Sequence, residues 1–184
     1  MTADWIMSCV RDLRQKYREG DPFRLARSMG ILVLEEPMGT GDSCCKGFFF
    51  VQSRIPAIVV NADLPLLLQR IIVMHEIGHA VLHRKKVGSA CFHDYELFDA
   101  ASLTEYEANI FAAEYLLEDD AVLEALNADL SFFQAAALLQ VPPELLSFKF
   151  RMMKQKGSLV IDSPILADSK FLKKVPAPEA FPEE

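Results

Sequence analysis

The chain has 184 residues, of which 51% are hydrophobic, which is enough apolar material for one compact domain or for a domain with a small helical appendage. Its formal net charge of −7 disfavours a general nucleic-acid coat, because phosphate binding requires a clustered basic surface. The sequence contains neither a signal peptide nor a run of about 18 apolar residues, so we expect a cytoplasmic protein with no membrane contact.

The four cysteines of the chain, Cys9, Cys44, Cys45 and Cys91, form no C-x-x-C pair. In a cytoplasmic chain such residues are most simply reduced thiols. The sequence therefore predicts neither a disulfide framework nor a cysteine-bound zinc site.

The first third of the chain predicts two helices followed by three strands. Apolar residues at helical spacing indicate a helix over residues 3–19, closed by Gly20. Asp21 and Pro22 are typical of the cap and first turn of a short helix. Runs rich in β-branched and aromatic residues then predict strands at 31–34, 47–51 and 57–60. Because turn signals separate these runs, we expect a small antiparallel meander.

The rest of the chain is predicted to be mainly helical. One long helix runs from about residue 65 to Arg84 with Asp63 as its cap, and a second covers roughly 104–118, after an irregular stretch at 87–101. Helical patterns continue to Gly157, and a proline-containing tail follows. These patterns divide the chain into an α+β domain, a C-terminal helical region and an extended tail, at residues 1–118, 119–160 and 161–184.

The first long helix contains the motif H-E-x-x-H at residues 75–79. A step of four residues turns an α-helix by about 400°, so the two imidazoles lie within about 40° of each other and can reach one ion. Glu76 is near enough to accept a proton from metal-bound water. The flanking residues are apolar, and buried polar side chains are costly unless they are coordinated or paired. The motif predicts Zn²⁺ bound by His75 and His79, with Glu76 as the general base.

A third protein ligand is required, because catalytic zinc is bound by three side chains and a water. Helical phase places Glu105 on one face of the second long helix with Asn109, whereas Glu107 falls on the opposite side, which we expect to be solvated. Glu107 also fits a capping box with Thr104. We therefore predict Glu105 as the third ligand and a hydrogen bond from Asn109 to a zinc-bound histidine. The alternative is that Glu105 is an ordinary helix-start glutamate.

Three further residues are candidates for the cleft or for contact with the transition state. His83 lies about 12 Å along the helix axis from His75, too far to share one ion, so we expect it to cap the helix, pack or line the cleft. His93 and Tyr95 lie between the two long helices, where a loop over the cleft could supply a hydrogen-bond donor. The alternative for this loop is a polar surface segment.

Two segments of the chain, residues 73–83 and 105–117, together carry a pattern that resembles the ImmA/IrrE metallopeptidase family. Residues 17–31, Lys46-Gly47-Phe48 and Val60-Asn61 fit the same pattern, so the resemblance covers about residues 10–157. Members often have Met-Pro after the Leu-Leu pair, where this chain has Glu118-Asp119.

The resemblance implies a gluzincin-like site, with His75, His79 and Glu105 as zinc ligands and Glu76 as general base. The expected fold is α+β, with a small three-stranded antiparallel sheet packed on a zincin-like metal helix and a C-terminal helical region. The resemblance also implies a cytoplasmic bacterial or phage regulator. Such a regulator cleaves a helix-turn-helix repressor to relieve transcriptional repression.

Residues 131–157 predict two helices around a tight turn at Gln140-Val141-Pro142. The second helix carries several basic residues, so a DNA-binding helix-turn-helix is one interpretation. The other is a helical pair packed on the first domain, which the acidic net charge and the apolar residues of this helix favour. Two functions therefore stay open: a zinc peptidase acting on a repressor, and a non-catalytic zinc-containing DNA-binding or anti-repressor protein.

Overall fold

The structure is a computed structural model that describes residues 2–41, 44–83, 99–128, 130–159 and 161–165, with the backbone alone at 99–102. In chain order these residues form α1 (Ala3–Tyr17), α2 (Pro22–Ser28), β1 (Leu32–Glu36), β2 (Gly47–Gln52), β3 (Ile55–Asn61), α3 (Leu66–Leu82), α4 (Asp99–Leu116), α5 (Asp119–Asn127), α6 (Phe132–Leu138) and α7 (Pro143–Gln155). The predicted α+β class is confirmed. Within the described ranges, every helix is too short or too polar to cross a membrane.

Local signals account for the start of α2 and the end of α1. The Asp21 carboxylate accepts a hydrogen bond from the backbone N–H of Arg24 at 3.0 Å and caps α2, as predicted. Helix α1 ends at Tyr17 rather than at Gly20, because Arg18 adopts the left-handed conformation with φ of 50°.

The start of α3 differs from the prediction. Pro65 precedes the helix, and no side chain caps it. The carboxylate of Asp63 instead accepts a hydrogen bond from the backbone N–H of Gly39 at 2.7 Å and so ties down the connection between β1 and β2.

The three predicted strands form one mixed sheet with the order β1-β3-β2. Strands β2 and β3 pair antiparallel, as expected, but β1 pairs with β3 in parallel, so the meander is wrong for this strand. Residues 57–60 of β3 are buried in an unbroken run, which is typical of a central strand with neighbours on both edges. The long connection over residues 37–46 lets the chain cross from one edge of the sheet to the other.

Helix α3 packs closely on the sheet and on α4. A Cβ atom added at Gly47 of β2 would lie 2.6 Å from Cγ2 of Ile72 on α3. A Cβ atom added at Gly78 of α3 would lie 3.2 Å from Cδ1 of Phe111 and 3.3 Å from the Cα atom of Ala108, both on α4. Glycine at these two positions therefore allows the sheet, α3 and α4 to approach within a distance that other residues would prevent.

Of the C-terminal helices, α7 packs on α4, and α6 packs on α7. The predicted pair of helices around a tight turn is present as α6 and α7, with Gln140 in the left-handed conformation at φ of 54°. The rings of Phe148 on α7 and Tyr106 on α4 meet edge to face at 5.6 Å between centroids. Of the predicted irregular stretch at 87–101, residues up to 98 lie outside the described part of the chain, and the remainder belongs to α4.

Candidate metal centre

His75 and His79 lie one turn apart on α3, and both side chains are buried, with 4% of each residue exposed. Their ring centroids are 4.7 Å apart and their Nε2 atoms are 3.0 Å apart. The spacing of four residues thus directs two imidazole nitrogens at one point, as the motif predicts.

Glu105 reaches the same point from α4. Its Oε2 atom is 3.1 Å from Nε2 of His75, and its Oε1 atom is 3.2 Å from Nε2 of His79. Burial alone would raise the pKa of Glu105, but the hydrogen bonds and charges of the two histidines outweigh burial and hold this pKa far below its usual range. Helices α3 and α4 therefore bring three candidate ligands together, two imidazoles and one carboxylate.

The geometry of these three side chains fits a single metal ion. Their donor atoms all lie within 4.8 Å of one another. Three ligands at about 2.0–2.1 Å from one tetrahedral ion would be about 3.3 Å apart, close to the distances of 3.0, 3.1 and 3.2 Å seen here. Two imidazoles and one carboxylate are a donor set that catalytic zinc uses.

Two other predicted site residues are buried beside this centre. Glu76 follows His75 on α3 and is 8% exposed, and Asn109 is fully buried on α4, one turn after Glu105. The base role of Glu76 and the hydrogen bond from Asn109 to a zinc-bound histidine stay predictions. His93 and Tyr95 lie outside the described residues.

His83 and Glu107 form a second contact between α3 and α4. His83 ends α3, its backbone N–H bonds to the carbonyl of His79, and its Nε2 atom is 3.5 Å from Oε2 of Glu107. His83 is 2% exposed, which favours the capping and packing alternatives over the cleft. Glu107 is 3% exposed, so the expected solvated face is wrong.

The prediction for Glu107 failed because α4 is enclosed on nearly all sides. Helix α3 covers one side of α4, and α1 and α7 cover others through Arg14 and Phe148. Helical phase separates two faces but does not say whether the second face meets water or protein. The predicted capping box is also wrong, since α4 begins at Asp99 and Thr104 lies inside it. The sequence did contain one signal for this contact. His83 follows the predicted ligand His79 by one turn, and Glu107 follows the predicted ligand Glu105 by two residues, so two helices that meet at the ligands could also meet at His83 and Glu107.

The basic side chains of α7, and that of Lys156 directly after it, all bond to other residues of the same chain. Lys149 is 1% exposed, and its Nζ atom lies 2.9 Å from Oε2 of Glu114. The others bond to acidic or aromatic partners: Lys156 to Glu114 and Asp119, Arg151 to the hydroxyl of Tyr106, and Lys154 to Asp162. These contacts favour the packed helical pair over a DNA-reading helix, because a recognition helix needs free cations on its exposed face.

Comparison with known proteins shows the family to which the chain belongs. The family model of the M78 peptidases, described as the IrrE N-terminal-like domain, matches residues 26–151, more than half of the chain. A relative from Bacillus phage phi105, named uncharacterized immunity region protein 2, is 31% identical over 144 residues, which cover 78% of this chain and 88% of the relative. The matched segments include the sheet, α3 and α4. This chain therefore belongs to the ImmA/IrrE family of metallopeptidases.

Proposed function

We propose that this protein is a zinc-dependent peptidase in which His75, His79 and Glu105 bind the ion and Glu76 is the general base. The observation that carries the proposal is the meeting of the three donor atoms from α3 and α4 within 4.8 Å, beside a buried glutamate. Two histidines and one glutamate, with a second glutamate beside them, are an arrangement that zinc peptidases use for peptide hydrolysis.

A zinc ion in this site would polarise the scissile carbonyl and lower the pKa of a bound water. Glu76 accepts the proton of the attacking water and returns it to the departing amine, so that one carboxylate serves as base and then as acid. Glu105 would bind the ion as a carboxylate, the form that the neighbouring histidines favour by lowering its pKa. Burial of His75 and His79 limits the orientations of their rings and keeps both Nε2 atoms directed at the same point.

We infer that the substrate is a helix-turn-helix transcriptional repressor, cleaved in the cytoplasm to relieve repression. The support is the family itself and the name of the phage relative, which places that relative in an immunity region. The alternative, a non-catalytic zinc-containing DNA-binding or anti-repressor protein, is disfavoured by the paired cations of α7 and by the net charge of −7.

The substitution Glu76→Gln tests the proposal, because it preserves the size of the side chain and removes its basicity. Each variant is co-expressed with a candidate helix-turn-helix repressor, chosen from the reading frames next to the gene, and the candidate is examined for defined fragments. We expect wild-type protein and Glu76→Gln to contain about one zinc per chain by elemental analysis, and only the wild type to cleave.

The matched control is Asp120→Asn, which removes one negative charge from an exposed residue of α5 and should cleave normally. A wild-type protein that contains far less than one zinc and stays inert after zinc addition contradicts the metallopeptidase. Full relief of repression by Glu76→Gln would instead favour the non-catalytic alternative.

A further inference from the structure

A second imidazole–carboxylate pair lies directly beside the candidate metal centre. The side chains of His83 and Glu107 are 0% and 5% exposed, and 3.5 Å separates Nε2 from Oε2. His83 follows His79 by one turn on α3, and Glu107 follows Glu105 by two residues on α4. The two helices are thus joined twice, once through the donor atoms of the metal centre and once through this second pair.

We propose that His83 and Glu107 are positioning residues, which fix the imidazole of His79 in the orientation that metal binding requires. The rings of His79 and His83 are neighbours, with centroids 5.5 Å apart and planes inclined by 48°. Glu107 restrains His83, and the His83 ring occupies space into which the His79 ring would otherwise turn. This inference rests on the proposed zinc site.

Stability alone does not account for this pair. A buried carboxylate and imidazole both lose hydration, and the attraction between them repays that cost only in part. An apolar pair would fill the same space without this loss. The polar pair adds an orientation-dependent contact between His83 on α3 and Glu107 on α4. This contact lies close to the candidate metal ligands His79 and Glu105. Groups that orient a metal-binding histidine typically change metal affinity by about 10–100-fold.

The test measures metal affinity rather than activity, on the full-length chain after removal of metal with a chelator. The dissociation constant for Zn²⁺ is measured by competition with a chromogenic chelator, and the visible absorption spectrum of added Co²⁺ gives the ligand geometry. For Glu107→Ala we expect Zn²⁺ binding to weaken by about 10–100-fold, with a changed Co²⁺ spectrum. Glu107→Gln keeps an acceptor oxygen for His83 and should restore most of the affinity.

Two further variants separate positioning from stability. His83→Leu combined with Glu107→Leu replaces the pair with apolar side chains, so it should fold as stably as the wild type and still bind Zn²⁺ more weakly. Gln69→Ala is the matched control on α3, because this buried side chain donates to the carbonyls of Ala62 and Leu64, away from the histidines. It should lose stability and keep its Zn²⁺ affinity.

Each outcome decides the matter. If the wild type binds Zn²⁺ and both Glu107→Ala and the double leucine variant bind it equally well, the positioning role is wrong and the proposed peptidase stands. An equal loss of affinity in Gln69→Ala would show a general effect of stability and would also overturn the inference. If the wild type itself fails to bind Zn²⁺, the proposed function and this inference both fail.

Discussion

Replacement of Gly78 by alanine tests the close approach of α3 and α4, on which the meeting of Glu105 with the two histidines depends. Two effects oppose each other. Alanine is favoured over glycine inside a helix by about 1 kcal/mol, which would stabilise α3. The added Cβ would lie 3.2 Å from Cδ1 of Phe111 and 3.3 Å from the Cα and O atoms of Ala108, shorter than the usual separation of about 3.5–4.0 Å.

The contacts decide the sign of the effect. Phe111 and Ala108 are both fully buried, and two of the three close atoms belong to the backbone of α4. They cannot move without shifting the helix by a few tenths of an ångström. Overpacking of this kind costs about 1–3 kcal/mol, so we expect a net destabilisation of about 0–2 kcal/mol after the gain in helix propensity. The same shift moves Glu105 away from His75 and His79, so Zn²⁺ affinity should fall together with stability.

Urea unfolding gives the change in stability, as a lower midpoint with an unchanged slope, and chelator competition gives the Zn²⁺ dissociation constant. The matched control is Gly20→Ala, where an added Cβ meets no atom within 4 Å. The free energy of unfolding of this control should be unchanged or higher by about 0.4–1 kcal/mol, because alanine lowers the conformational entropy of the unfolded chain. A Gly78→Ala variant that is more stable than the wild type and binds Zn²⁺ equally well would refute the reasoning.

Three other predictions concern the charges of the C-terminal helices and the metal. Lys149→Met leaves the carboxylates of Glu114 and Asp119 with fewer partners and should lower the free energy of unfolding by about 3–5 kcal/mol in chemical denaturation. The control Lys154→Met removes an exposed ion pair and should cost less than about 1 kcal/mol, so equal losses would contradict the buried network. Burial raises the pKa of Asp119, but Lys149 and Lys156 outweigh burial and hold it below its usual range. The ionised Asp119 therefore stabilises the fold above its unfolded pKa of about 3.9, and this stabilisation is lost as the pH falls through the folded pKa. Asp119→Asn lacks this ionisable group. Below pH 5 its urea midpoint should therefore fall less steeply with pH than that of the wild type. Zn²⁺ at 100 times its dissociation constant should stabilise the fold by about 2.7 kcal/mol over the chelated protein, and an unchanged melting temperature would contradict specific binding to the folded state.

Features encoded over a few neighbouring residues were the ones that the sequence predicted well. The cap at Asp21 and the pairing of two histidines by a step of four residues depend only on local geometry. Helical phase also separated Glu105 from Glu107, and the donor atoms of Glu105 lie close to those of the two histidines, while its role as a metal ligand stays a proposal.

Features that depend on tertiary packing were predicted poorly. The apolar residues of β1 predict a strand, but they are the same for parallel and antiparallel pairing. The direction of pairing follows from the position of β3 at the centre of the sheet, which depends on the tertiary fold. Glu107 is buried where it meets His83 at the end of α3, and nothing within residues 104–118 alone reveals that neighbour. Lys149, one of the cations of α7 that suggested an exposed basic face, is buried against Glu114 on α4 and Asp119 on α5.

The buried Lys149 also bears on how the chain can be divided or truncated. A protein that ended near Glu118 would retain every residue of the metal centre and would lose the cation that neutralises Glu114 and the ring that covers Tyr106. Helix α4 would then expose apolar surface and an unpaired carboxylate on the side that α7 covers. We therefore expect the C-terminal helices to belong to the same cooperative folding unit as the metal centre, so that their removal would lower metal affinity through the stability of α4.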